Sequence, residues 1–446
     1  MRETRNAQRS IFDNYSTHPF GQQLCAVSDL LDSNPSLLAL VARDFPRDNI
    51  ARTGANGLSV ESIFRCLLLK QMLQVSYEKL AFHLSDSITY RTFARLTLEQ
   101  FPSRAGLHGA IRQIRSQTLK QISTLHVSNL ISSGIIHVDK LRIDSTVTAS
   151  NIAPPSDSQL LADSIRVLSR LMAQSRDITG VKIRFSDQRK KSKSLAYQIF
   201  NAKFEKKEAL YPQLLRCASV TLKQSQRAID QVSLEGTNPS ANEFWLNKMT
   251  HYLALFKTVI DQTQRRIYNG EDVPSTEKIV SIFEPHTDII VKGEREVEYG
   301  HKVNLATQQD GFITYLNIES GNPSDATLYQ CVLEACESDY RKIPRTAVAD
   351  GCYASDDNIR KSKARGIRQN VFTKTRGLTL TQMGVKRKTF DALKCFRAGV
   401  EGNISELKRA FGAGKSTWKG LEGFNAFVWA STLCYNLIRT VRFSSA

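Results

Sequence analysis

The sequence predicts an α/β core preceded by helices and interrupted by one long helical block. Three observations predict it. Apolar, β-rich segments stand at 135–147, 298–318, 346–350 and 369–372. Apolar residues at helical spacing fill most of the chain before and between them. Removing 150–285 leaves strand, hairpin pair, helix, strand, strand and helix, the order of a compact α/β domain carrying one insertion.

Length and charge bound the classes. At roughly 100–200 residues per domain, a chain of 446 residues predicts two to four domains. Its apolar fraction excludes a disordered chain, a collagen-like repeat and a small disulfide scaffold. No apolar run approaches the ~18–20 residues that span a bilayer, and no apolar signal core follows Met1-Arg2-Glu3, so a soluble, intracellular protein with no membrane partner is expected. The eight cysteines lack any Cys-x-x-Cys or nearby His pair, which predicts reduced, structural thiols. A surplus of 61 Lys and Arg over 43 Asp and Glu, net +18, favours polyanionic partners.

Residues 1–55 read as loop-rich around a short apolar stretch at 37–41. From 58 to 73 the spacing predicts a helix with Ser59 as N-cap. Segments 76–84 and 86–93 predict two short helices split by a tight turn. Together, about 58–95 reads as helix-turn-helix-like, with Ser87, Thr89, Tyr90 and Arg91 on its second element facing DNA. A longer helix over 104–132 closes a helical N-terminal domain, 1–132. The strand at 135–147 has its last buried stretch ending at Asp144. The block 151–285 is helical and basic, with twelve Lys or Arg against three Asp or Glu between Lys182 and Arg227. It reads as an insertion between the first and second core strands. Asp310-Gly311 predicts a hairpin turn. Then come a helix at 324–339, a strand ending at Asp350, a short strand at 369–372, and helices at 390–412 and 421–441. Residues 133–150 and 286–446 thus form one core whose element order is that of an RNase H-like domain.

Two strands ending in an acid mark where open α/β sheets place their sites. A third acid follows from helix geometry. At about 100° per residue, Arg397, Glu401 and Lys408 form one polar stripe beside the apolar stripe of Phe396, Val400, Ile404, Leu407 and Phe411. Glu406 falls on the far side and is expected in solvent. Asp144, Asp350 and Glu401 converging in a basic protein suit hard divalent cations, and two Mg2+ (or Mn2+) ions suit in-line phosphodiester chemistry. Arg397, Lys408, Lys302, Lys374 and Arg91 are candidate DNA contacts. His137 and His301 read as structural, and Gly414-Lys415-Ser416 lacks the context of a phosphate-binding loop.

At these residues the sequence resembles the DDE transposases of bacterial insertion sequences. Arg397, Glu401 and Lys408 match three of the four places of a Tyr-x2-Arg-x3-Glu-x6-Lys signature, with Lys394 at the tyrosine position. Asp350-Gly351-Cys352-Tyr353 resembles the second-aspartate motif, and Leu141-Arg142-Ile143-Asp144 the first-aspartate strand. The likeness runs over roughly 57–440. It implies an RNase H-like enzyme that uses divalent metal to cut the ends of its own element and join them to target double-stranded DNA by 3′-hydroxyl attack. It further implies a homodimer on DNA and a cytoplasmic, nucleoid-associated location. Two other readings stay open: a catalytically silent domesticated DNA-binding protein, and a metal-dependent nuclease without strand transfer.

Overall fold

The computed structural model describes residues 4–5, 14–45, 57–291 and 297–444. The expectation of a loop-rich start is corrected by two helices, α1 (Pro19–Asp32) and α2 (Pro35–Ala42). A proline opens each, in the first turn where its missing amide has no helical partner to lose. Leu24, Val27, Leu37 and Val41 bury the inner faces. α3 (Val60–Leu73) starts as expected, with Ser59 Oγ accepting from the Ser62 amide at 3.0 Å. α4 (Tyr77–Asp86) and α5 (Ile88–Ala94) share Ser87, which ends one and caps the other.

The long helix expected over 104–132 is two, α6 (Arg104–Ile111) and α7 (Ser116–Ser132). Distant carboxylates break it. The Arg115 amide donates to Asp44 Oδ2 (2.9 Å) and the Ser116 amide to Glu422 Oε1 (2.6 Å), so amides that a continuous helix would pair internally are satisfied from outside.

β1 (Lys140–Ala149) begins later than expected and runs five residues past Asp144. It is followed by α8 (Asp157–Thr179), α9 (Arg189–Asn201), α10 (Phe204–Glu235) and α11 (Pro239–Tyr268). β2 (Asp288–Val291), β3 (Val297–Thr307) and β4 (Ile313–Ile318) precede α12 (Asp325–Tyr340). The chain ends through β5 (Thr346–Ala349), α13 (Asp356–Ala364), β6 (Gln369–Phe372), α14 (Arg387–Ala410) and α15 (Gly420–Ser444). No single helix among the described residues is long and apolar enough to cross a membrane.

Two compact units divide the chain, one of 1–149 with 301–446 and one of Ser150–Gly300. In the second, α8 to α11 enclose Leu161, Ile165, Leu214, Trp245 and Phe256, and Trp245 Nε1 donates to the Leu171 carbonyl at 2.9 Å. Asp288 and the next three residues of β2 pair antiparallel with Val297–Gly300.

The first unit carries a mixed sheet in the order β4, β3, β1, β5, β6. β3 and β4 are antiparallel, joined through the expected turn at Gly311, while β5 runs parallel to both β1 and β6. α15 lies almost wholly buried between the N-terminal helices α1, α3 and α7 and the sheet's β4.

A buried arginine seats α14 on this sheet. Arg142, the third residue of β1, donates to Thr307 Oγ1 (2.9 Å) on β3 and to Asn403 Oδ1 (2.8 Å) and the Phe396 carbonyl (3.1 Å) on α14. Its guanidinium lies 5.0 Å from the centre of the Phe396 ring. Asn403 Nδ2 donates to Tyr435 Oη (3.0 Å), which donates to the Gly311 carbonyl (2.8 Å). Gly399 allows the approach, since a Cβ there would run into the Arg142 guanidinium.

Gly399→Val should therefore expel the guanidinium and lower the first unit's stability by about 3 kcal/mol, read as the urea midpoint for amide exchange in β1 and α14. Gly402→Ala, whose added methyl meets nothing within 4 Å, should leave that midpoint unchanged or raise it.

Candidate active site

The two aspartates are brought together by register. β1 and β5 run parallel with Ile143 opposite Ala349 as their last pair, so Asp144 and Asp350 follow side by side where β5 stops. Asp144 is thus a mid-strand residue on β1, not the strand end expected for it, and the site forms because the neighbouring strand ends first. Beyond Asp350 the chain turns through Gly351–Tyr353. Tyr353 is fully buried and its hydroxyl donates to Asn304 Oδ1 at 3.0 Å on β3, which pins the turn. Gly351 is required because a Cβ would strike Lys374 just past β6.

Glu401 reaches the pair through Arg397. Arg397 Nη2 donates to Asp144 Oδ2 and Nη1 to Glu401 Oε1, each at 2.7 Å, so one guanidinium bridges the strand acid and the helix acid. The side chain of Asp144 is 16% exposed and that of Glu401 65%. Asp144 therefore bears the desolvation and Glu401 stands at the solvent edge. Arg397 Nε is buried without an acceptor among the described residues. Asp144 Oδ1 accepts from the Ser145 amide (2.9 Å), and Asp350 Oδ1 accepts from Thr373 Oγ1 (3.0 Å).

Electrostatics separates the two aspartates. Burial pushes the Asp144 carboxyl up to about 6; Arg397 and the Ser145 amide oppose this, and the charges of Asp350 and Asp325 add to it. At Asp350 burial also acts upward, but the Gly351 amide, the Thr373 hydroxyl, Arg397 and Lys374 together carry it below the usual carboxylate range.

Sequence reading missed a fourth acid. Asp325, the first residue of α12, accepts from Ser145 Oγ (3.1 Å) and Lys302 Nζ (3.2 Å). Its position after Pro323-Ser324 at a predicted helix start was the available signal.

Several expectations are corrected here. Lys302 is no free phosphate contact: it is buried, and its ammonium is bound to the Pro323 carbonyl (2.6 Å) and Asp325. Arg91 spends its guanidinium on the carbonyls of Leu84 (3.0 Å), Thr97 (2.6 Å) and Leu98 (3.3 Å), over the Phe101 ring. Thr89 and Ser87 are likewise engaged, with the amides of Ser16 and Tyr90. Glu406 is not left in solvent, since Arg439 (3.0 Å) and Arg442 (2.9 Å) of α15 hold both its oxygens. Lys374 is exposed beside Asp350, Lys408 is half-buried on α14, and Lys394, at the tyrosine position, points to solvent. His301 packs edge-on against Phe424 at 4.8 Å.

No group of three or more His, Cys, Asp or Glu among the described residues is gathered to hold a metal ion. Arg397 stands between the acids and supplies the positive charge there.

Two family models match the chain. The Transposase DDE domain matches residues 277–437 and the Transposase domain (DUF772) residues 13–107, together more than half of its length. The chain belongs to the DDE transposases of insertion sequences, a family of DNA-acting phosphoryl-transfer enzymes whose catalytic domain has an RNase H-like core. The first match contains Asp350, Arg397, Glu401 and Lys408, and Asp144 lies outside both. Neither a curated protein nor a solved structure matches the chain.

A carboxyl raised from 3.8 to about 6 keeps its proton in the folded protein where the unfolded chain has lost it. Its contribution to stability therefore falls as pH rises from about 4 through 6 and stays unfavourable above. Asp144→Asn should raise the unfolding free energy at pH 8 by about 1–3 kcal/mol, a gain that vanishes by about pH 4. Urea titrations at the two pH values check it, and a loss of stability at pH 8 would refute the desolvation account.

Proposed function

We propose that this transposase cuts the ends of its own element and joins them to target duplex DNA by 3′-hydroxyl attack, with Asp144, Asp350 and Glu401 as ligands of divalent cations. The observation that carries the reading is the register that sets Asp144 beside Asp350, with Arg397 linking Asp144 to Glu401. The donor set fits the group: oxygen-only ligands, one of them an under-compensated buried carboxylate whose pKa is raised to about 6, favour a hard dication.

When bound there, two Mg2+ (or Mn2+) ions supply the positive charge that activates an attacking hydroxyl and steadies the leaving oxygen. The chain's own residues do the rest. Asp144 gives up its proton before it serves as a ligand, so ligation strengthens as pH rises through about 6. Arg397 would turn its donors, including the orphaned Nε, to a phosphate oxygen wherever Asp144 or Glu401 holds a cation. Lys374 beside Asp350 and Lys408 on α14 hold flanking phosphates. The Arg142 contacts keep Glu401's helix at a fixed height above β1, which supplies positioning for chemistry that depends on it.

The helical N-terminal domain, 1–132, with its helix-turn-helix-like region at about 58–95, binds the element ends. The insertion, 151–285, presents basic faces to DNA. Pairing two ends calls for a homodimer on DNA, and the substrate places the protein in the cytoplasm at the nucleoid.

With duplexes carrying the inverted repeats that flank the gene, Asp144→Asn, Asp350→Asn and Glu401→Gln should each lower Mg2+-dependent cleavage and joining by at least about 10³-fold while end binding persists. Glu406→Ala should retain the chemistry and lose about 1 kcal/mol or less of stability, since its partners are partly exposed. Undiminished joining by Glu401→Gln would remove that residue from the site.

A further inference from the structure

A cavity of about 390 Å3 lies in the first unit where α3, the start of α4 and the segment between α14 and α15 meet. Lys70 of α3 points into it. Lys70 is only 5% exposed, and its ammonium lies 4.7 Å from the centre of the Tyr77 ring and 5.6 Å from that of Trp418. No carboxylate pairs with it among the described residues, and burial carries its pKa down to about 8. Ring faces offset part of the desolvation of an ammonium but accept none of its three N–H bonds. Trp418 Nε1 is a second buried donor without an acceptor among the described residues. Arg104 and Lys415 stand at the mouth, and one carboxylate, Glu78, stands there with them.

We propose that this cavity is an anion site that takes one backbone phosphate of duplex DNA, with Lys70 as its buried donor and Arg104 and Lys415 as its rim. Several converging N–H donors call for an acceptor with several oxygens, and a phosphodiester supplies two unesterified ones. The site also has a fixed relation to the catalytic helix. Gln71 Nε2 donates to the Phe411 carbonyl (2.8 Å) and Gln74 Nε2 to the Arg409 carbonyl (2.8 Å), so α3 grips the end of α14. Ser416, in the same segment, donates its amide to the Ala149 carbonyl at the end of β1 (2.8 Å). A phosphate seated on Lys70 is thereby held by the same backbone that carries Glu401 and Asp144. The assignment rests on the reading of the chain as an enzyme acting on duplex DNA, and Lys70, remote from the acids in sequence and contact, belongs to none of its catalytic machinery.

The test is binding of a fluorescein-labelled random-sequence duplex by the full chain across a salt series. Each neutralised phosphate contributes about 0.9 to the slope of log K against log salt. Lys70→Met should flatten the slope by about one and weaken binding about tenfold at low salt. Trp418→Phe, which keeps the ring and removes the N–H, should weaken binding in the same direction and serves if Lys70→Met does not fold. Lys70→Met combined with Lys415→Gln should flatten the slope by about one and not two, because both touch one phosphate. An unchanged slope and affinity in folded Lys70→Met, or in Trp418→Phe in its place, overturns the proposal. If inorganic phosphate stabilises the wild type and not Lys70→Met while duplex binding is equal in both, the site takes free phosphate and the DNA assignment falls. Failure of the wild type to bind duplex at all would instead sink the functional reading beneath it.

Discussion

The position of α14 depends on one buried cation. Arg142 on β1, Thr307 on β3 and Asn403 on α14 bond one another and so tie the three elements together, and each nitrogen of the guanidinium has a partner. A guanidinium in a sheet interior is expensive unless its fork is filled. Thr307, Asn403 and the Phe396 carbonyl fill it, and the Phe396 ring covers one face. The network passes through Asn403 and Tyr435 to the β3–β4 turn, and Arg439 joins that turn and Glu406 to it through the Asp310 carbonyl (2.7 Å) and the ion pair. α14 is thus clamped at both ends of its buried face. Arg397 and Glu401 inherit their places from that clamp, because they lie on the turns between Phe396 and Asn403.

What the clamp holds in place is itself uncomfortable. Asp144 is largely buried beside Asp350 and Asp325, its one ion-pair partner among the described residues is Arg397, and burial carries its carboxyl up. Asp350 sits one strand over and is lowered, because a backbone amide, a hydroxyl and an exposed lysine reach it. Two carboxylates at adjacent strand positions thus differ in protonation through their surroundings alone, and the difference marks a site held against local repulsion. A sequence built for stability alone would place an apolar residue at 144.

Much of this was legible in the sequence where the signal is local. Ser59 caps its helix, Asp310-Gly311 turns its hairpin, and the period of 390–412 places Val400 and Leu407 inside with Arg397 and Glu401 at the edge. Several of the errors share one cause, a partner far along the chain. Asp44 and Glu422 break the 104–132 helix, Arg439 and Arg442 collect Glu406, and Pro323 with Asp325 draws in Lys302. Arg142 was hidden for the same reason: an arginine flanked by Leu141 and Ile143 reads as the outward residue of an alternating strand. Only Gly399 and Asn403, more than two hundred residues away, explain why it points inward. α2 was missed because eight residues carry too few turns for an apolar period to stand out from a loop, whereas in α1 Phe20, Leu24, Val27 and Leu31 stand at helical spacing and the signal was there to be read.

Charge is the remaining constraint. A net charge of +18 attracts polyanions, yet Asp144, Asp350 and Glu401 gather negative charge in one place. Arg397 resolves the conflict within the chain. It pairs with Asp144 on β1 and Glu401 on α14 and so links the helix to the sheet. Were those carboxylates to hold dications, as proposed above, the same guanidinium would be a free donor for a phosphate oxygen. Its i,i+4 pairing with Glu401, which on an exposed helix contributes only a few tenths of a kcal/mol, acquires its importance from the third member on β1. The spacing that the helix supplies and the register that the sheet supplies are each ordinary, and the site exists only where the two coincide.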